Sequence, residues 1–394
     1  MAAARHEKFR FSDMDEDRRL AHVLRRLLET PAVRTVQKRL ELLYRTAGIA
    51  REGDGALILG ETGAGKTTAA RMYVDAKYQE LRSRDPTGEW SRPEAAGTDL
   101  RPIVHVTSSG IERPIVVVSV NARPRFNSLL RDTALAMQVP LGKNFDFGEA
   151  MTSVMKAIEK QKVKMIIFDD VQHIIDAGMN AFGAADVFKL FLKCRIAVVC
   201  IGLTHARSLA SVNSQLDRLI QQRITIAPLR CSLGDFPEVY ANGRTKSGET
   251  VEPTAFREVM EAIDARDGAN SVLPFDEASN LSYPDMALRI HQASGGYIGE
   301  IMNLIHQAST LAILDGSTRV TMEDFAQAHE NRTSCSDEAN WFKMGMKTFT
   351  ERFGTVQPQL QKEDAKKGAK AEKEVEKYLK RSGRRVADAF AGRK

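Results

Sequence analysis

The chain of 394 residues is 43% hydrophobic and carries a net charge of +6. This length and apolar content predict two or three structural units, each able to bury a core. No apolar run approaches the roughly 18 residues of a membrane helix, and the first residues lack the apolar region of a secretory signal, so we expect a cytoplasmic protein with no membrane partner. The four cysteines form no Cys-x-x-Cys pair, and they predict free thiols rather than a zinc site.

Residues 1–50 have apolar residues at helical spacing, and we predict an N-terminal helical segment there. The first strong strand signal is Ala56 to Leu59, which is apolar throughout and ends at Gly60. Continuous apolar strands that alternate with helical patterns predict an α/β fold with a doubly wound, five-stranded parallel sheet. The four further strands are predicted at Ile115 to Val120, Met165 to Phe168, Ile196 to Ile201 and Ile224 to Ala227.

This α/β core is predicted to span residues 51–230. Residues 83–113 interrupt the alternation with repeated Pro and Gly, which predicts a surface insertion in which only 103–106 has the pattern of a short strand. A connection of this length is usually functional or disordered. Helical patterns separated by Pro and Gly then predict a small all-helical second domain at 231–335.

The C-terminal extension, residues 336–394, ends in a basic tail. From Lys362 to Lys394 there are twelve Lys and Arg against six Asp and Glu, so the tail carries the entire net charge. Such a tail often contacts nucleic acid or an acidic partner. A solvated, disordered arm is an equal alternative.

A glycine-rich loop between the first strand and the next helix fits the pattern G-x-x-x-x-G-K-[ST]. Glycines let the backbone turn tightly and direct its N–H groups at phosphates, and the following helix adds the positive end of its dipole. The lysine is expected to reach the β- and γ-phosphates of ATP, and the first threonine hydroxyl to ligate Mg²⁺. The loop is Gly60-Glu61-Thr62-Gly63-Ala64-Gly65-Lys66-Thr67, followed by Thr68.

Two carboxylates, Asp169 and Asp170, follow the apolar strand that begins at Met165. In P-loop enzymes a strand of this kind delivers an Asp to the magnesium shell, and we assign that role to Asp169. Asp170 is predicted to act as the base or water-orienting carboxylate beside the γ-phosphate. The alternative is that two Asp residues merely end a strand, where Asp is common. The phosphate loop about 100 residues upstream favours the functional interpretation.

The order of phosphate loop, insertion, Asp-Asp strand, further strand and helical lid resembles the AAA+ superfamily of ATPases. More narrowly, the chain is similar to the TniB/TnsC family, the ATPase subunits of multi-component transposons. The similarity covers roughly residues 30–330. Its motifs are the loop residues 61–68, Arg113-Pro114-Ile115-Val116-Val117-Val118, Asp169-Asp170-Val171-Gln172-His173, Gly202-Leu203-Thr204, Gln215-Leu216, Gln222-Arg223-Ile224 and Ser294-Gly295-Gly296-Tyr297-Ile298-Gly299.

This resemblance implies a bacterial, nucleoid-associated ATPase that forms a ring or helical filament on double-stranded DNA and links target-site selection to a transposase. It implies that Thr204 is a sensor of the γ-phosphate, although Thr can also merely end a strand. It also implies that Arg223 is an arginine finger for a neighbouring subunit, with Arg218 as the substitute. A surface ion pair is the other interpretation of Arg223.

Two departures from the family pattern predict slow hydrolysis. The family usually has Glu after the magnesium Asp, whereas this chain has Asp170, which is one methylene shorter. Many lids carry Arg in a Gly-x-x-Arg motif, whereas the fourth position here is Gly299. Both departures favour nucleotide as an assembly switch over nucleotide as fuel for a fast motor.

Basic residues after the second predicted strand are the candidates for DNA contact: Arg123, Arg125 and Arg131. Basic side chains contact phosphates without reading sequence. The resemblance implies that this region faces the DNA in the pore of the oligomer. Two other functions stay open, namely another AAA+ DNA machine of the initiator or helicase-loader type, and a nucleotide-gated signalling scaffold without DNA contact.

Overall fold

The computed structural model describes residues 9–122, 127–176, 181–211, 214–232 and 254–353. Two compact units divide these residues: an α/β unit from Ala32 to Ile226, and a helical unit that combines the residues up to Pro31 with those from Ala227 onward. Arg123, Arg125 and the basic tail lie outside the described residues. Within the described ranges, no helix has both the length and the apolar character needed to cross a membrane.

The strands all belong to one sheet of the α/β unit. They are β1 Gly55–Leu59, β2 Glu89–Ser91, β3 Ile103–Thr107, β4 Gly110–Ser119, β5 Met165–Asp169, β6 Ala197–Gly202 and β7 Gln222–Thr225. The helices are α1 Glu16–Arg25, α2 Pro31–Thr46, α3 Lys66–Arg84, α4 Ser128–Ala136, α5 Phe147–Lys160, α6 Gln172–Asp176, α7 Ala181–Lys193, α8 Ser208–Ser211, α9 Ser214–Leu219, α10 Ala255–Asp264, α11 Pro284–Ser294, α12 Ile298–Leu314, α13 Met322–Thr333 and α14 Met346–Arg352.

The sheet has the strand order β2-β3-β4-β5-β6-β1-β7, and the five predicted strands are parallel neighbours within it. Every residue of β1, β5 and β6 is buried, which explains why these strands are almost entirely apolar, with Asp169 at the end of β5 as the exception. Phe168 packs edge-on against Phe188, with ring centroids 4.9 Å apart, in the core that one face of the sheet shares with its helices. The predicted α/β class with a mostly parallel sheet is confirmed.

The expected strand number is too low, because the insertion supplies two strands. β2 and β3 pair antiparallel with each other, and β3 pairs antiparallel with β4, so the described sheet has seven strands rather than five. Trp90 stacks on His105 with ring centroids 3.9 Å apart, which joins β2 to β3. β3 agrees with the short strand predicted at 103–106, whereas the Pro- and Gly-rich surroundings of β2 gave no strand signal. The fifth parallel strand also lies two residues earlier than predicted.

The N-terminal residues do not form a segment of their own, because α1 and α2 belong to different units. α2 packs on α3 around Lys77, which is only 4% exposed. The Lys77 ammonium lies 2.6 Å from a carboxylate oxygen of Glu41 on α2 and 2.6 Å from one of Glu80 on α3. It also lies 4.8 Å from the centre of the Tyr44 ring. The unit boundary therefore precedes α2, rather than following it near residue 50.

The helical unit is larger than the predicted lid. On its N-terminal side it includes α1, whose Val23 is fully buried in the core of this unit. Beyond residue 335 it continues through Phe342 and Phe349, which are buried in the same core. Arg289 of α11 is buried, pairs with Asp285, and lies 4.8 Å from the Phe349 ring, so its charge is used inside this unit.

Two adjacent glycines follow α11, and the second of them accepts a hydrogen bond from the segment at which the chain enters the helical unit. Gly295 and Gly296 both have positive φ, at 62° and 75°. The backbone N–H of Leu229 donates to the carbonyl oxygen of Gly296 at 2.8 Å, and a Cβ on Gly296 would collide with the carbonyl oxygen of Leu229. A side chain at this position would be both strained and obstructed.

Candidate nucleotide site

The phosphate loop has the left-handed turns that its glycines predict. Gly63 and Gly65 have φ of 77° and 85°, and Gly65 is the N-cap of α3. At the start of the loop, a Cβ on Gly60 would lie 2.8 Å from the carbonyl oxygen of Ile226. Glycine is therefore required at Gly60 by close backbone approach, and at Gly63 and Gly65 by conformation.

Lys66 opens α3 and turns back over its own loop. Its ammonium donates to the carbonyl oxygens of Gly60 at 2.8 Å and Glu61 at 2.9 Å. A cation at the N-terminus of a helix, beside backbone N–H groups, forms an anion-binding cradle. The loop therefore has the charge and the shape that phosphate oxygens need.

A second part of the site, which we call the magnesium corner, consists of Thr67 and of Asp169 at the carboxyl end of β5. The Thr67 hydroxyl lies 3.3 Å from each carboxylate oxygen of Asp169. Burial raises the pKa of Asp169 above its ordinary value, and a hydrogen bond from Thr98 opposes that rise. A hydroxyl and a carboxylate are oxygen ligands of the kind that Mg²⁺ prefers. The donor set fits a magnesium nucleotide, with Thr67 and Asp169 as its holders on the protein side.

Asp170 has an unusual backbone and a fixed side chain. Its φ is 59°, a left-handed conformation that is uncommon for a residue other than glycine. The side-chain amide of Gln172 donates to the Asp170 carboxylate at 3.0 Å and accepts from the backbone N–H of Leu203 at 3.2 Å. Gln172 therefore links Asp170 to the segment that carries Thr204. The role of Asp170 as a base stays a prediction.

Thr204 follows β6 and begins a short 3-10 helix, Thr204–Arg207. Its hydroxyl donates to the Glu61 carboxylate at 2.5 Å. The structure thus brings the predicted sensor to the phosphate loop across 143 residues of sequence. The partner, Glu61, occupies a variable position of the loop motif, so the motif alone did not indicate this contact.

Both candidate arginine fingers are exposed and engaged in ion pairs within the chain. Arg223 lies on the edge strand β7 and pairs with Asp217 at 2.6 Å, with 48% of its side chain exposed. Arg218 is 74% exposed and lies 3.5 Å from Glu52. Exposed pairs of this kind are weak, so each guanidinium can exchange its partner at little cost. The choice between them stays open.

Arg131, the described member of the DNA candidates, holds a neighbouring loop. Its guanidinium donates to the carbonyl oxygen of Lys143 at 2.8 Å and lies 5.2 Å from the centre of the Phe145 ring. The side chain is exposed, which leaves the DNA role a prediction.

Sequence reasoning missed two residues of the site. Thr98, from the insertion, donates to Asp169 at 2.7 Å. Gln172 positions Asp170, as described above. Thr98 lies in no recognisable motif, so only the fold could reveal it. Gln172 was visible as part of the family pattern but had no assigned role.

The α/β unit has the fold of AAA+ P-loop NTPases. Residues 50–210 match the family model described as AAA domain. Domains of this class bind ATP and generally hydrolyse it. A comparison with curated proteins found no match.

Solved structures that resemble the chain share little sequence with it. Cdc6p from Pyrobaculum aerophilum has 15% identity and a TM-score of 0.47, over 79% of this chain and 70% of that one. The Aeropyrum pernix Orc1 protein, solved in complex with DNA, has 14% identity and a TM-score of 0.46, over 81% and 70%. Domain III of the Thermotoga maritima replication initiation protein DnaA has 11% identity and a TM-score of 0.40, over 79% and 95%.

Proposed function

We propose that the chain is an ATP-dependent AAA+ regulator of DNA transposition, which oligomerises on double-stranded DNA and links target-site selection to the transposase. The observation that carries the nucleotide part is the convergence of Lys66, Thr67, Asp169 and Thr204 at one edge of the sheet. The similarity of the sequence motifs to the TniB/TnsC family supports the transposition part.

Nucleotide is proposed to act as the assembly switch. The phosphate loop binds ATP with Mg²⁺, and Arg223 or Arg218 of an adjacent copy completes the pocket. Because both guanidiniums are exposed on their own chain, a neighbour can recruit either of them. Assembly on duplex DNA then presents a surface to the transposase and to the target-selecting protein.

Hydrolysis is proposed to be slow, because the carboxylate of Asp170 is short and is already held by Gln172. Slow turnover would give the assembled state a long lifetime, which suits target selection. The same site with fast turnover would suit a motor.

The test is ATP-dependent assembly on duplex DNA, followed by analytical ultracentrifugation and negative-stain imaging. We expect rings or filaments with ATP and Mg²⁺, and none without nucleotide. Lys66→Ala should abolish assembly, while Asp170→Asn should preserve assembly and slow disassembly. Normal assembly by Lys66→Ala would refute the switch.

A second arm of the test separates the functions that the sequence left open. ATP-dependent oligomers that form equally well without DNA, with turnover unchanged by duplex DNA at low and high salt, would favour a signalling scaffold. DNA-bound oligomers that fail to retain a transposase would favour an initiator or loader. Retention of that transposase only in the ATP state would support the proposal.

A further inference from the structure

The insertion reaches the magnesium corner of the site through Thr98. The Thr98 hydroxyl lies 2.7 Å from Oδ2 of Asp169, and this is the shortest hydrogen bond to that carboxylate among the described residues. The other donors are the Thr67 hydroxyl at 3.3 Å and the backbone N–H of Asp170 at 3.1 Å. The shortest hydrogen bond to Asp169, the predicted magnesium ligand, therefore comes from the insertion at residues 83–113.

The direction of this hydrogen bond is fixed by a neighbouring backbone group. The N–H of Leu100 donates to the Thr98 hydroxyl oxygen at 3.2 Å. That bond occupies a lone pair of the hydroxyl, so its proton is free to point at Asp169. An ionised carboxylate can only accept. Thr98 is thus oriented as a donor, which holds one oxygen of Asp169 in place.

The segment that carries Thr98 is anchored to the ends of the strands. The Ser119 hydroxyl donates to the carbonyl oxygen of Gly97 at 3.1 Å, and Ser119 is the register partner of Asp169 in the β4–β5 pair. Gly97 has a φ of 78°, and a Cβ there would lie 2.9 Å from the Ser119 hydroxyl oxygen. On the other side of Thr98, Leu100 is fully buried. The position of the threonine is therefore determined by the fold.

A second attachment joins the insertion to the helix that follows the phosphate loop. Arg92 pairs with Asp75 of α3 and donates to the carbonyl oxygen of Arg101 at 3.0 Å. Its guanidinium also lies 5.6 Å from the centre of the Tyr78 ring. The insertion thus contacts both elements that supply the magnesium corner, α3 with Thr67 and β5 with Asp169.

The geometry points to Thr98 as a positioning residue of the magnesium site, through which the insertion completes that site and responds to its occupancy. This inference rests on the proposed nucleotide-binding function. Residues that orient a metal-holding side chain typically change metal affinity about 10- to 100-fold when they are lost. Binding linkage is reciprocal, so a ligand that favours the oriented carboxylate also stabilises the docked segment.

The test measures binding rather than turnover. A fluorescent ADP analogue is titrated into the full chain in EDTA, and then at increasing Mg²⁺ concentrations. Thr98→Val keeps the shape of the side chain but removes the donor, and it should raise the Mg²⁺ concentration for half-maximal binding by about 10-fold or more. The affinity of Thr98→Val for the ADP analogue in EDTA should equal that of the wild-type chain. Thr98→Ser should restore the wild-type Mg²⁺ dependence, and Thr87→Val, an exposed threonine of the same insertion, should retain it.

Hydrogen exchange on the same samples supplies a readout that does not depend on the variant's fold. In the wild-type chain, Mg²⁺ and ADP should slow exchange of the backbone amides of residues 97–100. An equal Mg²⁺ requirement in Thr98→Val and wild type, or unchanged exchange in wild type, would overturn this inference but leave the proposed function standing. A wild-type chain that binds no nucleotide in EDTA or Mg²⁺ would overturn the proposed function and this inference together.

Discussion

The buried Lys77 makes a quantitative prediction about how α2 is held on the α/β unit. Its side chain is 3% exposed, and the ammonium lies 2.6 Å from a carboxylate oxygen of Glu41 and 2.6 Å from one of Glu80. Lys77→Met keeps a long unbranched side chain at this position, but it removes the ammonium over the Tyr44 ring and leaves two carboxylates without their shared cation. Breaking a fully buried pair costs about 3–5 kcal/mol. The carboxylates are 26% and 35% exposed, so solvent screening reduces the expected loss to about 2 kcal/mol.

The assay is hydrogen exchange at the buried amides of α2, with urea unfolding of the same variant. Lys38→Met, at an exposed position of the same helix, is the matched control and should change the free energy of unfolding by less than about 0.5 kcal/mol. A double-mutant cycle with Glu41→Gln should return a positive coupling energy. If Lys77→Met were as stable as Lys38→Met at pH 7, the ionic cluster would not hold α2, and the reasoning would fail.

The effect should depend on pH in a defined direction. Burial alone would raise the pKa of Glu41, but hydrogen bonds from Lys77 and Arg45 bring it below the ordinary value. A carboxyl whose pKa is lowered by folding stabilises the protein above its unfolded pKa, about 4.3, and loses that contribution as the pH falls through the folded pKa. The difference between wild type and Lys77→Met should therefore be full at pH 7 and shrink below about pH 4.

Three further predictions concern the helical unit and Asp170. Burial, and then the charge of Arg332, lower the pKa of His329 from 6.5 to about 4. Because the unfolded histidine binds a proton more readily, the free energy of unfolding of the helical unit should fall by up to about 3 kcal/mol between pH 6.5 and pH 4. Urea unfolding of His329→Leu should lack this pH dependence. Gly296→Ala should destabilise the same unit by at least about 1 kcal/mol, because the residue has a positive φ and its Cβ would collide with Leu229. Gly316 also has a positive φ, but a Cβ there would meet no other atom, so Gly316→Ala should destabilise the unit less in the same measurement. Asp170→Glu should raise the steady-state rate of ATP hydrolysis if one methylene limits the reach of the carboxylate, and a lower rate would show that the short side chain is the active form.

The parts of the fold that the sequence predicted are those set by local patterns. The strand that ends at Asp169 is apolar because both of its faces are buried, and the phosphate loop needs glycines at positions with positive φ. Such requirements are visible in a few consecutive residues. The parallel sheet and the tight turns of the phosphate loop followed from them.

The features that could not be predicted depend on contacts between distant segments. Thr98 contacts Asp169 across 71 residues of sequence, from an insertion whose Pro and Gly content concealed the strand β2. The separation of α1 from α2 depends on which core each helix enters, and both have similar amphipathic patterns. Only the buried partners of Val23 and Lys77 decide it.

The most direct test of the shared nucleotide pocket is to mix two inactive chains. Lys66→Ala removes the loop cation but retains the guanidinium, whereas Arg223→Ala retains the loop and loses the guanidinium. If a neighbouring copy completes each site, the loop of an Arg223→Ala chain and the guanidinium of a Lys66→Ala chain together form one intact composite pocket, and ATP hydrolysis should reappear although neither variant hydrolyses ATP alone. A mixture that stays as inactive as its components, with Arg218→Ala behaving the same way in a parallel mixture, would contradict the account.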